Sequence, residues 1–301
     1  MDGERLALTA FLTGSLLAGG NAVGIRFSNR ELEPFWGAGL RFGLAALMLL
    51  AVMAVMRLAW PRGQALLGAL VYGALNFGVA FALAYYALVE LQAGFGQILL
   101  AIVPLLTLLV AVLERQERFR LVAGAGALLA LTGILVLSKA QLAGELPWLS
   151  LLAALGSALC FAQAAVVVRR FPPVHPVVMN AVGMGAGALL LLLIALIAGD
   201  AFAVPERAAT WLAVAYLVVV GSGAVFILYL IALKYWAASR AAYTFVVIPV
   251  VTVALSAWLD DEPVDWGLVL GGLLVVAGVY VGALQAPRSA RAAQPRAGGG
   301  V

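Results

Sequence analysis

Apolar runs of about 20 residues follow one another along this chain, and a run of that length is what an α-helix needs to cross the hydrocarbon core of a bilayer. The 301-residue chain is 65% hydrophobic and 11% charged, whereas soluble domains are close to half apolar and about a quarter charged. A bilayer core offers no water to backbone groups, so these runs must satisfy their own hydrogen bonds as helices. The sequence therefore predicts an all-α polytopic membrane protein.

Charges, prolines and polar clusters divide the chain into ten predicted transmembrane helices. We place them at residues 6–27, 35–57, 64–88, 93–113, 119–138, 148–170, 175–198, 209–233, 239–259 and 265–285. The connections between these spans are short, so no soluble domain is expected between them. The low-complexity segment 287–301 is predicted to be a mobile cytoplasmic tail.

Basic residues are distributed very unequally between the two sets of loops. If the N-terminus is cytoplasmic, the inner segments hold Arg5, Arg57, Arg62, Arg115, Arg118, Arg120, Arg169, Arg170, Lys234, Arg240, Arg288, Arg291 and Arg296, and the outer loops hold only Arg30, Lys139 and Arg207. Cytoplasmic loops of membrane proteins carry the excess of Lys and Arg. We therefore expect both termini to be cytoplasmic. The net charge of +4 then reports topology and does not indicate a nucleic-acid partner.

Two segments of the chain are closely similar to each other. ILLAIVPLLTLLVAVLERQER, at 98–118, is repeated as FVVIPVVTVALSAWLDDEP, at 245–263. An offset of 145 residues also matches Pro104 with Pro249, Thr107 with Thr252, Glu117 with Glu262, Gly126 with Gly271 and Gly133 with Gly278. An offset of 142 aligns the starts of the halves. We predict a first five-helix repeat at 1–145 and a second at 146–286.

Five is an odd number, so the second repeat must be inverted relative to the first. The end ERQERFR then faces the cytoplasm and its counterpart DDEPVD faces outside, which explains the change of charge. Inverted repeats are typical of secondary transporters, whose substrate site lies near the midplane where the repeats meet. A gene duplication that serves structure alone is the alternative.

The motifs NAVGIRF…EPFWGAGLRF, ALVELQAGFGQILLAIVPLLTLLVAVLERQERF and LTGILVL, with ALKYWAASRAAYTFVVIPVVTVALSAWLDDEPV…AGVYVGAL in the second half, resemble the EamA-type branch of the drug/metabolite transporter superfamily. Within that branch the chain is most similar to YddG-type exporters of aromatic amino acids. The resemblance covers all ten spans. It implies inverted five-helix repeats, a bacterial inner membrane and export of metabolites, with aromatic amino acids favoured over other metabolites or drugs.

None of the 14 carboxylates lies in the middle of a predicted span. A carrier driven by a buried, proton-carrying carboxylate needs one there. We therefore expect a facilitator or an exchanger that works by alternating access, although a less obvious proton route stays open. A channel-like facilitator is the alternative from another class; it requires rings of like residues around an axis.

Arg41 is a charge inside a predicted span, about 9 Å from the start of its helix. It is either an anion site that binds an amino-acid carboxylate bidentately, or a structural residue that snorkels to the outer interface or bonds to carbonyls of a neighbouring helix. Arg26 lies one residue from a helix end and is expected to snorkel.

The predicted substrate site comprises polar residues that should face the bundle interior: Asn21, Arg41, Asn76, Tyr86, Gln97, Gln163, Asn180 and Tyr243. For each amide the alternative is an interhelical hydrogen bond worth about 0.6 kcal/mol. Pro104 and Pro249 each free a carbonyl and bend a helix. We predict that they are hinges, with a static kink as the alternative.

A single cysteine and a single histidine leave no disulfide, no cysteine or histidine metal cluster and no catalytic constellation. The chain also has no G-x-x-x-x-G-K-[ST] loop for ATP. We therefore predict no enzyme activity, no cofactor and no metal. The expected partners are a small-molecule substrate, such as an amino acid, and the lipid bilayer, and the protein is expected to act as a monomer.

Overall fold

The computed structural model describes residues 3–116, 121–141, 147–225, 227–228, 231, 235 and 244–281. Within these residues the secondary structure is entirely helical. The helices are α1 (Gly3–Ser28), α2 (Pro34–Val55), α3 (Gln64–Glu90), α4 (Ala93–Leu113), α5 (Leu121–Gln141), α6 (Trp148–Arg170), α7 (Pro176–Ala198), α8 (Ala208–Ala224), α9 (Thr244–Leu259) and α10 (Trp266–Val279).

Each predicted span coincides with one of these helices. Helices α1, α2, α3, α4, α6 and α7 are long and apolar enough to cross a membrane, and the described parts of α5, α8, α9 and α10 contain shorter apolar helices. The predicted continuations of α8 to residue 233 and of α10 to residue 285 fall partly or wholly outside the described residues. The all-α polytopic fold is confirmed.

Prolines and capping side chains fix where several helices begin. Proline is the first residue of both α2 and α7, a position where its missing N–H is not needed. His175 caps α7 by accepting a hydrogen bond from Val177 N through Nδ1 at 3.3 Å. Asp265 caps α10 in the same way, with Oδ1 2.7 Å from Leu268 N.

Equivalent helices of the two repeats run in opposite directions. On α5 and α10, a Cβ placed on Gly133 would lie 2.7 Å from the Gly271 carbonyl oxygen, and a Cβ placed on Gly278 would lie 2.6 Å from the Gly126 carbonyl oxygen. As residue numbers rise along α5 they fall along α10, so the pair is antiparallel. The offset of 145 residues matches Gly133 with Gly278 and Gly126 with Gly271. Exchanging the two repeats therefore converts one of these contacts into the other. The repeats are therefore inverted.

Helix packing follows the same exchange. Helix α1 packs against α8 and α9, and its mate α6 packs against α3 and α4. The pairs α2–α7, α4–α9 and α5–α10 are formed by a helix and its own mate. All ten helices therefore take part in the interface between the repeats, where a transporter with inverted repeats has its substrate site.

Two of these interface helices contain a wider, π-helical stretch at equivalent positions. In α3 it runs over Ala74–Val79, and in α8 over Tyr216–Ala224. The starts of α3 and α8, Gln64 and Ala208, differ by 144 residues, and the same offset places the first stretch inside the second. π-Helical turns leave backbone groups less regularly paired and occur frequently at functional sites.

The two predicted hinge prolines have different settings. The helical hydrogen bonding of α4 is interrupted at Ala101 and Ile102, and Pro104 stands at the start of the second segment, Val103–Leu113. Pro249 lies inside the uninterrupted helix α9. The interruption before Pro104 therefore has no counterpart within Thr244–Leu259, and the role of the two prolines as hinges stays a prediction.

Replacing Gly73 by alanine is expected to destabilise the fold. The added Cβ would lie 2.3 Å from the Gly183 carbonyl oxygen on α7, and because that atom belongs to the backbone, the two helices must separate. Overpacking of this kind costs about 1–3 kcal/mol. The matched control is Gly43→Ala, whose Cβ would meet the Ala188 Cβ at 4.0 Å. The midpoint of thermal unfolding in detergent should fall for Gly73→Ala and not for Gly43→Ala; equal midpoints would contradict the close approach of α3 and α7.

Candidate substrate site

Arg41 lies two turns into α2 and is 1% exposed. The position of α2 is fixed at its first turn by Asp200, whose Oδ2 accepts hydrogen bonds from Phe35 N at 3.1 Å and Trp36 N at 3.0 Å. A snorkelling arginine would keep its guanidinium at the interface. The burial of Arg41 shows that its side chain instead stays inside the helix bundle.

The contacts of Arg41 leave its charge without an anionic partner among the described residues. Its Nε donates to Ser222 Oγ on α8 at 3.1 Å, and its Cζ lies 4.8 Å from the ring centre of Phe42 and 5.1 Å from that of Phe81. Ring faces attract a cation by about 2 kcal/mol when water is excluded. They do not accept the hydrogen bonds of the guanidinium, and Nη1 has no hydrogen-bond partner.

Two further polar atoms beside Arg41 also lack partners: Asn21 Oδ1 on α1 and the Tyr85 hydroxyl on α3. A Cβ placed on Gly221 would lie 2.1 Å from Asn21 Oδ1 and 3.3 Å from Arg41 Nη2, so both groups lie over the same glycine of α8. The Tyr85 hydroxyl is within range of the Arg41 charge, although no aligned hydrogen bond joins them. An unsatisfied buried polar group costs about 1–3 kcal/mol. Each such group calls for an explanation, and a ligand that binds between these three would satisfy them together.

The π-helical stretch of α8 forms one side of this group. It presents Ser222 to Arg41, and it brings the Gly221 backbone against Asn21. At its first residue, the Tyr216 hydroxyl donates a hydrogen bond to the Leu17 carbonyl of α1. We name the residues Asn21, Arg41, Tyr85, Tyr216 and Ser222 the Arg41 cluster.

Aromatic rings surround one side of the Arg41 cluster. The Phe42 ring centre lies 5.3 Å from that of Phe77 and 4.6 Å from that of Phe81. Phe81 in turn contacts Phe161 on α6 edge to face at 5.3 Å. A buried cation beside apolar aromatic walls can bind a ligand that has an anionic end and an apolar body.

The other predicted site residues that the structure describes lie on α3, α4, α6 and α7. Tyr86 is 37% exposed, whereas its neighbour Tyr85 is fully buried. The chain turns about 100° per residue along a helix, so the two side chains point in different directions. Asn76 is half-buried in the π-helical stretch of α3. Asn180 is 7% exposed on α7. Tyr243 lies outside the described residues.

Gln97 lines a separate, small cavity between α1, α3, α4 and α6. Its other lining residues include Ala22, Leu88, Ala154 and Ser157, and its volume is about 20 Å³. A cavity of that size holds about one water molecule. The amino-acid-sized space that a substrate needs is therefore not preformed here and requires a movement of the surrounding helices.

On the predicted outer side, four charged residues join the ends of α1, α4 and α9. Arg26 Nε lies 3.0 Å from Asp260 Oδ2 and 3.1 Å from Glu262 Oε1, and Arg30 also pairs with Asp260. Glu262 caps α4 by accepting hydrogen bonds from Ala93 N at 2.7 Å and Gly94 N at 3.3 Å. Arg26 is thus an ion-pairing residue at the end of its helix, which the sequence did not predict. We name Arg26, Arg30, Asp260 and Glu262 the outer latch.

A related arrangement joins α4 and α6 on the predicted inner side. Arg170 Nη2 donates to Glu114 Oε2 at 2.9 Å, and Gln163 Nε2 donates to Glu114 Oε1 at 2.7 Å. The chain positions of Arg26 and Arg170 differ by 144 residues and those of Glu114 and Asp260 by 146, close to the repeat offsets. Glu114, Gln163 and Arg170 therefore form an inner latch related to the outer one by exchange of the repeats. Gln163 belongs to this latch rather than to the Arg41 cluster.

A further acid holds the loops of the predicted outer surface. Glu31 accepts hydrogen bonds from Glu206 N and Arg207 N, both at 3.2 Å. A hydrogen bond from the Thr210 hydroxyl is the main influence that lowers the pKa of Glu31, and the charge of Arg207 acts in the same direction. A lowered folded-state pKa means that this contact stabilises the fold at neutral pH and is lost as the pH falls through that pKa.

Sequence reasoning missed three members of the Arg41 cluster: Tyr85, Tyr216 and Ser222. Ser222 is flanked by Gly221 and Gly223 inside an apolar span, a pattern that permits close approach of another helix and could have marked the place. Tyr85 could not be chosen over its neighbour without the rotational setting of α3. The pairing of Arg26 with Asp260, 234 residues away, needed the tertiary structure.

Comparison with known proteins bears directly on this architecture. The model of the EamA-like transporter family matches the chain twice, over residues 5–139 and 148–283. The chain belongs to the EamA-like transporter family. The double match agrees with the inverted repeats and makes this protein a transporter.

Individual relatives are more distant. This EamA-family transporter is 28% identical over 266 residues to the uncharacterized inner membrane transporter YedA of Escherichia coli, covering 85% of this chain and 86% of YedA. It is 30% identical over 157 residues to the protein PagO of Salmonella typhimurium, covering about half of each chain (50% and 51%). A crystal structure of a protein with 24% identity superposes with a TM-score of 0.67 over 94% of this chain and 98% of that one, which supports the fold.

Adding a methyl group at Gly221 is expected to disrupt the Arg41 cluster, because it would overlap Asn21 Oδ1 at 2.1 Å. Gly221→Ala should reduce transport by reconstituted protein about tenfold or more, the effect of losing a hydrogen bond to a charged group. The matched control is Gly223→Ala, whose Cβ would meet only the flexible end of Met48, at 2.7 Å from Cε. Transport rates that fall equally in both variants would remove the reason to place the substrate at Gly221.

Proposed function

We propose that this transporter exports small metabolites that carry a carboxylate, with amino acids as the main class and aromatic amino acids favoured. It does so by alternating access across the bacterial inner membrane, as a monomer with both termini in the cytoplasm. The repeats 1–145 and 146–286 move against each other, with Pro104 and Pro249 as hinges. The match to the EamA-like transporter family supports the transport class, and the printed name of YedA supports the membrane.

The observation that carries the proposal is the unpartnered Nη1 of a fully buried arginine. A charge inside a membrane costs at least about 2.5 kcal/mol on insertion scales. Arg41 makes one hydrogen bond to a hydroxyl and two ring contacts, which leave the charge itself unneutralised. A substrate carboxylate would neutralise it through charge-assisted hydrogen bonds.

The apolar surroundings of Arg41 support the aromatic preference. The rings of Phe42, Phe77 and Phe81 pack against each other beside the guanidinium. Aromatic pairs in edge or tilted geometry contribute about 0.5–1.5 kcal/mol beyond the area that they bury. A substrate ring that inserts here gains these contacts, whereas a small or charged side chain does not.

The two latches support alternating access. Each one joins helices of both repeats, α1 and α4 to α9 on one side and α4 to α6 on the other. Opening a path between the repeats on either side requires the ion pairs on that side to separate. Because the latches are related by exchange of the repeats, the same rocking motion can break one while the other remains closed.

Arg41→Gln is expected to weaken binding of aromatic amino acids by roughly ten- to a hundredfold, since hydrogen bonds to charged groups contribute about 1.5–3 kcal/mol. An amino-acid analogue with an uncharged amide in place of the carboxylate should bind equally to both proteins. Lysine at position 41 should rescue poorly, because it lacks the planar fork. The measurement is binding and uptake in proteoliposomes against a panel of aromatic amino acids, other amino acids, nucleosides and cationic drugs.

The control for charge removal is Arg207→Gln, because Arg207 is an exposed arginine of the predicted outer surface. It should transport as wild type does. If Arg41→Gln folds and transports aromatic amino acids normally, Arg41 is a structural residue and the proposed carboxylate-bearing substrate is wrong.

Glu262→Gln is expected to open the outer side more often, because it weakens the pair with Arg26 and the cap of α4. In a Cys160→Ala, Ala22→Cys background, an impermeant thiol reagent added outside intact cells should label Cys at the cavity roughly tenfold faster in this variant. The matched control is Asp261→Asn, since Asp261 is exposed, is adjacent in sequence and has a positive φ of 49° that asparagine tolerates. Equal labelling rates in the two variants would show that Glu262 does not hold the outer side closed.

A further inference from the structure

The Arg41 cluster contains an unpartnered acceptor as well as an unpartnered donor. Arg41 Nη1 is the donor and Asn21 Oδ1 is the acceptor, and neither satisfies the other although both side chains lie over Gly221. The Tyr85 hydroxyl, also unpartnered, can act as donor or acceptor. Two side chains that were present only to fill the interior would gain by bonding to each other.

The spacing of these groups resembles the spacing of the two charged groups of an α-amino acid. A Cβ placed on Gly221 would lie 2.1 Å from Asn21 Oδ1 and 3.3 Å from Arg41 Nη2, so a cation-binding oxygen and an anion-binding nitrogen lie within a few ångströms of one point. In an α-amino acid the ammonium and the carboxylate are attached to a single carbon atom and are separated by a similarly short distance. A simple carboxylic acid would use Arg41 and leave Asn21 Oδ1 unsatisfied, and an amine would do the reverse.

We propose that Asn21 is a specificity-determining residue: its Oδ1 accepts a hydrogen bond from the α-ammonium of the substrate while Arg41 Nη1 donates to the carboxylate. The Tyr85 hydroxyl is the second acceptor for the ammonium. This inference rests on the proposed function, since it assigns the other end of the same ligand. It makes the zwitterion, rather than the carboxylate alone, the group that the transporter recognises.

A neutral amide is the acceptor that this position requires. An aspartate at position 21 would also attract an ammonium, but it would lie beside Arg41 in a low-dielectric interior, where opposite charges attract strongly. It would form an internal ion pair and occupy the guanidinium that the substrate carboxylate needs. An asparagine attracts the ammonium without competing for Arg41.

The test compares three ligands on purified full-length protein: phenylalanine, 3-phenylpropionate, which lacks the ammonium, and phenethylamine, which lacks the carboxylate. Wild type should bind phenylalanine at least about tenfold more tightly than either analogue, the usual effect of losing hydrogen bonds to a charged group. Asn21→Leu, which keeps the volume, should weaken phenylalanine binding by about tenfold to a hundredfold and leave 3-phenylpropionate binding unchanged. Asn21→Asp should weaken binding of both carboxylates, and Tyr85→Phe should weaken phenylalanine binding selectively.

The outcomes separate this inference from the proposed function. If wild type binds phenylalanine and 3-phenylpropionate equally, or if Asn21→Leu weakens both alike, Asn21 does not recognise the ammonium, although Arg41 can still bind the carboxylate. If binding of neither ligand changes in Arg41→Gln, the proposed function itself is wrong. The comparison of ligands on wild type needs no variant, so the inference stays testable even if Asn21→Leu does not fold.

Discussion

The burial of the Arg41 guanidinium, with no acid paired to it among the residues that the structure describes, is the constraint on which the rest of the interior depends. A cation in the bilayer interior is tolerated only when surrounding groups compensate for lost hydration. Here a hydroxyl of α8 and the faces of Phe42 and Phe81 provide part of that compensation. The part of the lost hydration that these groups do not replace can be replaced by an anionic ligand, which would then bind favourably. Charged residues inside membranes usually mark functional sites.

The scaffold is nearly symmetric, but the site is not. The contacts of Gly133 with Gly271 and of Gly278 with Gly126 show how closely the repeats preserve their packing. At the offset that aligns the repeat starts, the mate of Arg41 is Gly183, which packs directly against Gly73. One repeat therefore uses the position for charge and the other for close helix contact. In the proposed function, a symmetric frame thus places the substrate site near the interface of the two halves while retaining latches on both sides.

Sequence reasoning recovered the helical, repeated architecture because that architecture depends on patterns that recur many times: apolar runs and matched prolines and glycines. The membership of the Arg41 cluster depends on the rotation of each helix and on which side chains face each other, and sequence periodicity gives neither. Tyr86 was chosen over Tyr85 because nothing in the sequence sets the rotation of α3 to within one residue, particularly where a π-helical stretch changes it. Asn21 and Gln163 are sequence mates, yet one lies beside Arg41 and the other bonds to Glu114, because the side chains that face them differ between the repeats.

The most direct measurement of the central claim is an experimental structure of the transporter with its substrate, the best-bound amino acid of the transport panel. The account predicts a substrate carboxylate oxygen about 2.7–2.9 Å from the Arg41 guanidinium, the usual length for a charge-assisted hydrogen bond, with the substrate between α1, α2, α3 and α8. A substrate bound elsewhere, for example beside Gln97 with Arg41 still lacking an anionic partner, would contradict it.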